Sequence, residues 1–384
     1  MGRILLSQSQ ATAVISTALI GLFTLLIFLI GYTSQQRTVS GLQKALRPRI
    51  PQPPPGFSVD EQLSDTQQPL QRSRAFRGSH VAYTAFCAAK LEDAASKVNW
   101  RRLAHVQIVR SHGDMCNAIM VLAELHRLKS PARRILLFPQ AWAVEKKAGK
   151  GDITDPFMDS SRRLMRKAAR RYGVELRPIS PVLQGDSESD GERDVYSLAS
   201  AYALADLDRA LNLETPGLVM DASPLDAVLA FTEDAPFGML EDTDQADGVH
   251  TQDLFLVQPS LEMHADLKRA ISGLQRYNDT NLPSLFPDHL LLSPSSSATT
   301  LIRSIGTLHS VGANYNATAF VKETSYIRFS DPKLPGPEYE VPWSMKVEAR
   351  PRNKDADWTW TKLYGEFEQK RMEVCGLGLE TWRP

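Results

Sequence analysis

The chain has 384 residues, enough for one large or two small domains with a substantial core. Its 44 Lys+Arg balance its 44 Asp+Glu, so no global field recruits nucleic acid or acidic lipid. Three cysteines, Cys87, Cys116 and Cys375, are too few for a disulfide framework, and without a CxxC, an HExxH or a dense His/Cys cluster the sequence argues against structural zinc.

Ala11–Tyr32 carries no charge and is about the length of roughly 20 residues that a helix needs to cross a bilayer. A cleaved signal peptide has a shorter apolar core of about 7–15 residues, so a membrane anchor is expected at 11–32 behind a short tail at 1–10. The flanks and the body of the chain disagree on its orientation. Arg37, Lys44, Arg47 and Arg49 follow the span, against Arg3 before it, which puts the larger part in the cytosol by the positive-inside rule. Two glycosylation sequons, Asn278-Asp279-Thr280 and Asn316-Ala317-Thr318, put it in a lumen instead.

Residues 33–76 are rich in Pro, Gln, Ser and Arg, with PQPPPG at 51–56, and read as an extended stem. A helical pattern over Ala82–Leu103 makes a neck ending at Trp100, so that the stem and neck occupy 33–99 and the folded domain 100–384. His105–Arg110 is a predicted strand. After the turn Ser111-His112-Gly113-Asp114, Met115, Ile119, Leu122, Leu125 and Leu128 recur at spacings of three and four as an amphipathic helix, with Ser111 or Asp114 as N-cap. Arg134–Pro139 is the next strand, completing a βαβ unit that implies a parallel sheet.

Asp159–Tyr172 reads as a helix with Leu164, Met165, Ala168 and Tyr172 inward. Its outer face carries Arg162, Arg163, Arg166, Lys167, Arg170 and Arg171, either a solvated surface or a site for an anionic acceptor. Val174–Ile179 is a strand and Gln184–Asp194 an acidic loop. A helical run from Ser197 to about Leu207 leads into the strand Arg209–Leu213, the break Pro216-Gly217, the apolar Leu218–Met220 and a short helix, Leu225–Phe231. Further on come a strand at Asp253–Pro259, a helix at Leu261–Arg276 capped by Ser260, short apolar segments at His289–Ser293 and Ser325–Asp331, and a closing helix at Asp357–Glu373.

The middle of the chain resembles glycogenin-like transferases (glycosyltransferase family 8) and the related fungal N-acetylglucosaminyltransferase-like proteins. The order Leu207-Asp208-Arg209, four apolar residues, Glu214-Thr215-Pro216-Gly217, Leu218-Val219-Met220 and Leu225-Asp226 follows their Asp-x-Asp-Gly region. Trp100, Val106–Arg110, Cys116-Asn117 and Leu125-His126-Arg127-Leu128 match a second family run, and Ser325–Asp331 with the following Pro-Lys loop matches a C-terminal one. The resemblance implies an α/β, GT-A-like (Rossmann-related) domain. It implies a Golgi-type, single-pass (type II) membrane glycoprotein with a lumenal C-terminal domain, moving a hexosyl or N-acetylhexosaminyl group from a UDP-sugar to a glycan acceptor. The bland alternative is a transferase-like scaffold or glycan-binding protein without activity.

Family enzymes hold a divalent cation, Mn²⁺, with the Asp-x-Asp pair and a C-terminal histidine, and the ion neutralises the departing diphosphate. Here Glu214 and Pro216 stand in place of the aspartates and Arg328 in place of the histidine. Glu214 is therefore the one candidate metal ligand left, and Arg328 with Lys333 the candidate cations for a metal-free diphosphate site, because a guanidinium grips phosphate through two parallel donors. Val109, Arg110 and Ser111 match the family's uridine site, and Gly217 is a further candidate for donor binding. Asp226, grouped with Glu214 as a candidate catalytic carboxylate, either contacts the donor sugar or caps the short helix. The literal Asp206-Leu207-Asp208 lies before its strand and reads as a helix-terminal pair.

Overall fold

The protein is described from a computed structural model. The structure describes residues 80–81, 97–143, 156–183, 194–241, 250–274, 277–286, 289–293, 300–337 and 341–376, together with Gly21 and Leu25. The chain divides into two compact units, Met1–Arg49 and Ile50–Pro384. In the first, Gly21 and Leu25 are helical and exposed; the rest of the expected anchor, and the stem up to residue 79, lie outside the described residues. Among the described residues no helix is long and apolar enough to cross a membrane.

The second unit is built on an eight-stranded sheet. Its strands are β1 (His80–Val81), β2 (Leu103–Ile108), β3 (Arg133–Pro139), β4 (Glu175–Ile179), β5 (Arg209–Leu213), β7 (Phe237–Leu240), β8 (Leu254–Val257) and β9 (Leu290–Leu292). The order across the sheet is β1-β9-β7-β8-β5-β2-β3-β4. All neighbours run parallel except β8, which is antiparallel to both β5 and β7. A smaller sheet, ordered β10-β11-β6, joins β6 (Gly217–Val219), β10 (Thr300–Ser304) and β11 (Thr324–Arg328). The expected α/β architecture with a mostly parallel sheet is thus present. Because β1 pairs with β9, the sheet also reaches back into residues that the sequence reading gave to the stem and neck.

The alternation of side chains explains why β2, β3 and β5 sit in the middle. Along β3, Ile135 and Leu137 pack on one face and Leu136 and Phe138 on the other; Ala210 and Leu211 divide likewise in β5. A strand with apolar groups on both faces must be covered on both. One face takes α1 (Asp114–Arg127), α2 (Pro156–Tyr172), α3 (Ser223–Phe231) and the small sheet. The other is covered by a 3-10 helix at Leu198–Ala203, by α4 (Leu261–Ser272) and by Tyr277, Leu282 and Phe286.

The segment expected as a helix from Ser197 to Leu207 is only that 3-10 turn, with Ser197 accepting from the Ala199 N–H at its start. Neither Ser111 nor Asp114 caps α1; the N-cap is Gly113. Two short helices, α5 (Ala317–Lys322) and α6 (Trp343–Ala349), had no periodic signature long enough to read. The last helix, α7 (Lys354–Val374), is capped by Asn353 and packs along α1. A Cys116–Cys375 disulfide joins the two.

Candidate functional site

In an open α/β sheet, ligands bind beyond the carboxyl ends of the strands where the strand order reverses. Here that place is between β2 and β5, since β3 and β4 continue on one side of β2 and β5 lies on the other. The two strands part as they approach it. β2 pairs with β3 from Ala104 to Ile108, but with β5 only from Leu103 to His105. Beyond His105 two buried side-chain amides bridge the widening gap. Gln107 Nε2 donates to the Leu213 carbonyl at 3.1 Å, and Asn212 Nδ2 to the Val106 carbonyl at 3.0 Å. The crevice so opened has Arg110 on one lip, after β2, and Glu214 on the other, after β5.

A third segment closes it. β6 and β11 pair antiparallel, with Gly217 opposite Arg328, which carries the Arg328 guanidinium to the Glu214 loop. Nη1 donates to the Pro216 carbonyl at 2.8 Å, Nη2 lies 3.9 Å from Glu214 Oε1, and Nε lies 3.5 Å from Asp253 Oδ1. Nε is buried without a hydrogen bond. The Tyr326 hydroxyl fixes the loop from below by donating to the Glu214 carbonyl at 2.5 Å. A Cβ on Gly217 would overlap the Tyr326 ring, so packing requires glycine there.

Arg110 is held by Asp279, whose carboxylate also accepts from Ser197 Oγ at 2.5 Å, Tyr277 Oη at 3.3 Å and the Leu198 N–H. Asp114 accepts from the backbone N–H groups of Arg110 and Ser111, at 3.2 and 2.9 Å, and so shapes the turn leaving β2. Val109 is wholly buried with its N–H on the Leu137 carbonyl, so only Arg110 and Ser111 of that trio face outward. Lys333 is exposed in the loop after β11. That loop is anchored by Asp331, which accepts from the Lys333 N–H at 3.0 Å and Trp360 Nε1 at 2.7 Å, with His309 Nε2 at 3.0 Å.

The cluster has three carboxylates, Glu214, Asp253 and Asp279, for two arginines. Burial pushes the Glu214 carboxyl up, against the pull of Arg328 and Arg110, and the charges of Asp253 and Asp279 push the same way. Asp253 is likewise raised, first by burial, although the His250 N–H and Arg328 oppose it.

Two expectations are corrected. Asp226 is not in the crevice: it is buried in α3, where its Oδ1 meets His105 Nε2 at 2.8 Å and accepts from Ser130 Oγ at 2.7 Å, near the amino end of β2. It is neither a helix cap nor a group that could touch a donor, and the N-cap of α3 is Ala222. Secondly, the residues do not fit a Mn²⁺ site. Glu214 faces a guanidinium, and among the described residues no three His, Cys, Asp or Glu side chains lie close enough to hold a metal ion. Asp206 and Asp208 are at the amino edge, paired with Arg133, Arg177 and Arg102.

Asp253, Asp279 and Tyr326 escaped the sequence reading. Asp253 reaches the crevice because antiparallel β8 starts where β5 ends, a pairing no local pattern announces. Asp279 stood in view as the middle of a sequon, which drew attention to its neighbours instead. Of the basic α2 face, Lys167 caps the last turn of α7 through the Glu373 and Val374 carbonyls, and Arg162 donates to the Trp142 carbonyl.

No family model matches the chain. It is similar to two fungal proteins, each named glucose N-acetyltransferase 1. The one from Gibberella zeae is 24% identical over 306 residues, 72% of this chain and 63% of that protein, so the chain spans less than two thirds of it. The one from Aspergillus fumigatus is 25% identical over 317 residues, 73% of this chain and 78% of that protein. Among solved structures, the galactosyltransferase LgtC with donor and acceptor sugar analogues superposes with a TM-score of 0.37 at 13% identity, covering 69% of this chain and 95% of that one. The Streptococcus pneumoniae glycosyltransferase GlyE gives 0.37 at 12%, covering 70% and 64%. At that level of superposition they add nothing to the topology described above.

Proposed function

We propose that this chain is a GT-A-type glycosyltransferase that moves a hexosyl or N-acetylhexosaminyl group from a UDP-sugar to a glycan acceptor. The observation that carries the reading is the meeting of Arg110, Glu214 and Arg328, from three separate segments, at the switch point of the sheet. The fungal relatives' name joins a transferase to glucose, and it supports the presence of a sugar substrate; the group that it names as moved is acetyl. Arg328 and Lys333 neutralise the diphosphate as charge develops on it; Arg110 and Ser111 meet the nucleoside. Glu214 lies beside the departing group, and no step passes through a metal.

The same reading makes the protein a type II Golgi glycoprotein, tethered by 11–32 with its domain in the lumen. The disulfide supports this, since such bonds persist in oxidising compartments. So does the exposure of both sequon asparagines, Asn278 and Asn316. Endoglycosidase-sensitive mobility is the expected result, and it excludes a cytosolic domain.

A second reading has its own observation: the arginines already have internal acidic partners, as in a scaffold that has lost transfer. One experiment separates the two. UDP-sugar binding and transfer are measured across a donor panel with and without Mn²⁺, for the wild type and Arg328→Ala. Metal-independent binding that fails in the variant is expected; no binding in any condition leaves the scaffold.

A further inference from the structure

The chain is neutral overall, and Arg102, Arg133, Arg177, Arg209 and Arg350 each pair with one of its own acids. The exposed side of α2 departs from that pattern. The helix carries six cations against a single acid, Asp159. Arg162 and Lys167 are bound to backbone carbonyls. Arg163, Arg170 and Arg171 are exposed, and among the described residues they make neither a hydrogen bond nor an ion pair. Asp159 stands one turn before Arg163 and does not pair with it.

Helix geometry sets these charges in a row. Arg163, Lys167 and Arg171 recur every four residues on one side, with Arg170 beside them, over about 12 Å of axis. They act on one another: burial, then the charges of Arg171 and Arg163, hold the Lys167 ammonium below its ordinary range. The helix dipole favours cations in the last turn, which accounts for Arg170 and Arg171 but not for Arg163 in the second turn.

The row leads to the crevice, because α2 runs opposite to the strands it covers. Its amino end lies at their carboxyl edge. There Ser161 Oγ is 2.7 Å from His112 Nδ1, two residues beyond Arg110, and Arg162 reaches the Trp142 carbonyl after β3. Its carboxyl end lies at the opposite edge, where Arg134 at the start of β3 donates to the Tyr172 carbonyl at 3.1 Å. Arg163 is thus at the crevice end of the row and Arg171 at the far end.

A row of unpaired guanidinium groups selects a ligand with anions in series, since each gains charge-assisted hydrogen bonds from phosphate, sulfate or carboxylate. A bilayer surface or a protein partner is met by apolar groups at the centre of the patch, and no exposed apolar side chain lies between Arg163 and Arg171. A polyanion lying along the row has one end at the crevice. We infer that the exposed side of α2 is a docking track for a linear acidic glycan, which lies on Arg163, Arg170 and Arg171 and presents its end to the crevice as acceptor. Calling that end the acceptor rests on the transfer reading above; the docking of the glycan does not.

A heparin octasaccharide and polygalacturonate, which carry sulfate and carboxylate, are the probes, with neutral maltoheptaose as the blank. They are titrated into the full chain by fluorescence anisotropy at about 0.15 M salt, with UDP-glucose binding measured in parallel by calorimetry. Glutamine at all three positions (Arg163→Gln, Arg170→Gln, Arg171→Gln) suits an exposed helix, so the melting temperature should hold while binding of the acidic glycan weakens about tenfold or more. Arg163→Gln alone should weaken it about threefold, and lysine at all three positions should keep it within about threefold. Removing three exposed cations elsewhere, by Arg101→Gln, Arg352→Gln and Lys354→Gln, lowers the net charge equally and should change binding less than about twofold. UDP-glucose affinity should stay within about twofold throughout. The track is overturned if neither acidic glycan binds more tightly than maltoheptaose, if the three glutamines leave binding unchanged, or if the control variant loses as much. It is also overturned if a thymidine oligonucleotide or phosphatidylserine vesicles bind the row more tightly than both glycans. Arginine-dependent glycan binding in a chain that never binds UDP-glucose upholds the track and removes the transfer reading; UDP-glucose binding without glycan binding removes the track alone.

Discussion

Two edges of the same sheet each gather arginines and carboxylates, and they do it differently. At the amino edge, Arg133 donates to both oxygens of Glu175, at 2.8 and 2.7 Å, and to Asp206 at 2.8 Å, while Arg177 closes on Asp206 at 3.1 Å. Hydrogen bonds from Arg133 hold the Glu175 and Asp206 carboxyls below their ordinary range. At the carboxyl edge, Arg328 stands 3.5 and 3.9 Å from its two carboxylates with Nε unbonded, and burial raises both acids. The first set of charges is complete in itself. The second is closely paired at Arg110 and Asp279 but loosely at Arg328, has three carboxylates for two arginines, and burial raises Glu214 and Asp253. Close hydrogen bonds to arginine depress the carboxyls of the amino edge, and burial outweighs the looser pairing at Arg328 and raises those of the carboxyl edge.

The comparison is sharpest at Arg328. Arg328→Ala should lower UDP-sugar affinity by about 100-fold, or about 3 kcal/mol, as read by calorimetry. A variant that still binds like the wild type erases the distinction between the edges. Asp226→Ala should do the reverse. It strands His105 Nε2 and Ser130 Oγ in the core and should cost about 2 kcal/mol of stability in a denaturant titration, with donor binding untouched. Loss of binding without loss of stability would return Asp226 to the site. Arg133→Ala should cost about 1 kcal/mol, because its acidic partners are half exposed, again with binding preserved.

The smallest effect is in pH. A protonated Glu214 or Asp253 no longer competes for Arg328, and both hold their protons to higher pH than ordinary carboxyls do. UDP-glucose affinity should therefore rise a few-fold as pH falls from about 8 to about 5.5, with proton uptake on binding. At the amino edge the sign is opposite and concerns stability. Glu175 and Asp206 have depressed values, so their contribution is present above the unfolded carboxylate pKa of about 4 and is lost as pH falls through the folded values. A pH-independent affinity would show that the crevice acids do not compete with the ligand.

Much of the fold was legible because its central strands are apolar on both faces and its long helices have a periodic stripe. Arg209–Leu213 was read to the residue, and β3 and α2 to within a few. What escaped was short or frayed. β10 follows a stretch rich in serine, β1 is two residues long, and the alanine-rich run after Ser197 tightened into 3-10 turns against the sheet. Glu214 and Arg328 were visible as departures from a motif. Asp226 misled because its distance in sequence from Glu214 is small, whereas α3 carries it back to the amino end of β2.

By itself the sequence determined the alternation that makes a buried parallel sheet, the two loops with unusual charges and the sulfur atoms available for a bridge. Tertiary structure alone decided that β2 and β5 diverge, that Arg328 faces Glu214 and Asp253, and that Cys375 finds Cys116. The reason is the range of the forces involved. Periodicity is written over neighbouring residues, but a crevice is made where strands far apart in the chain stop pairing, and charges converge there only once the whole sheet has formed.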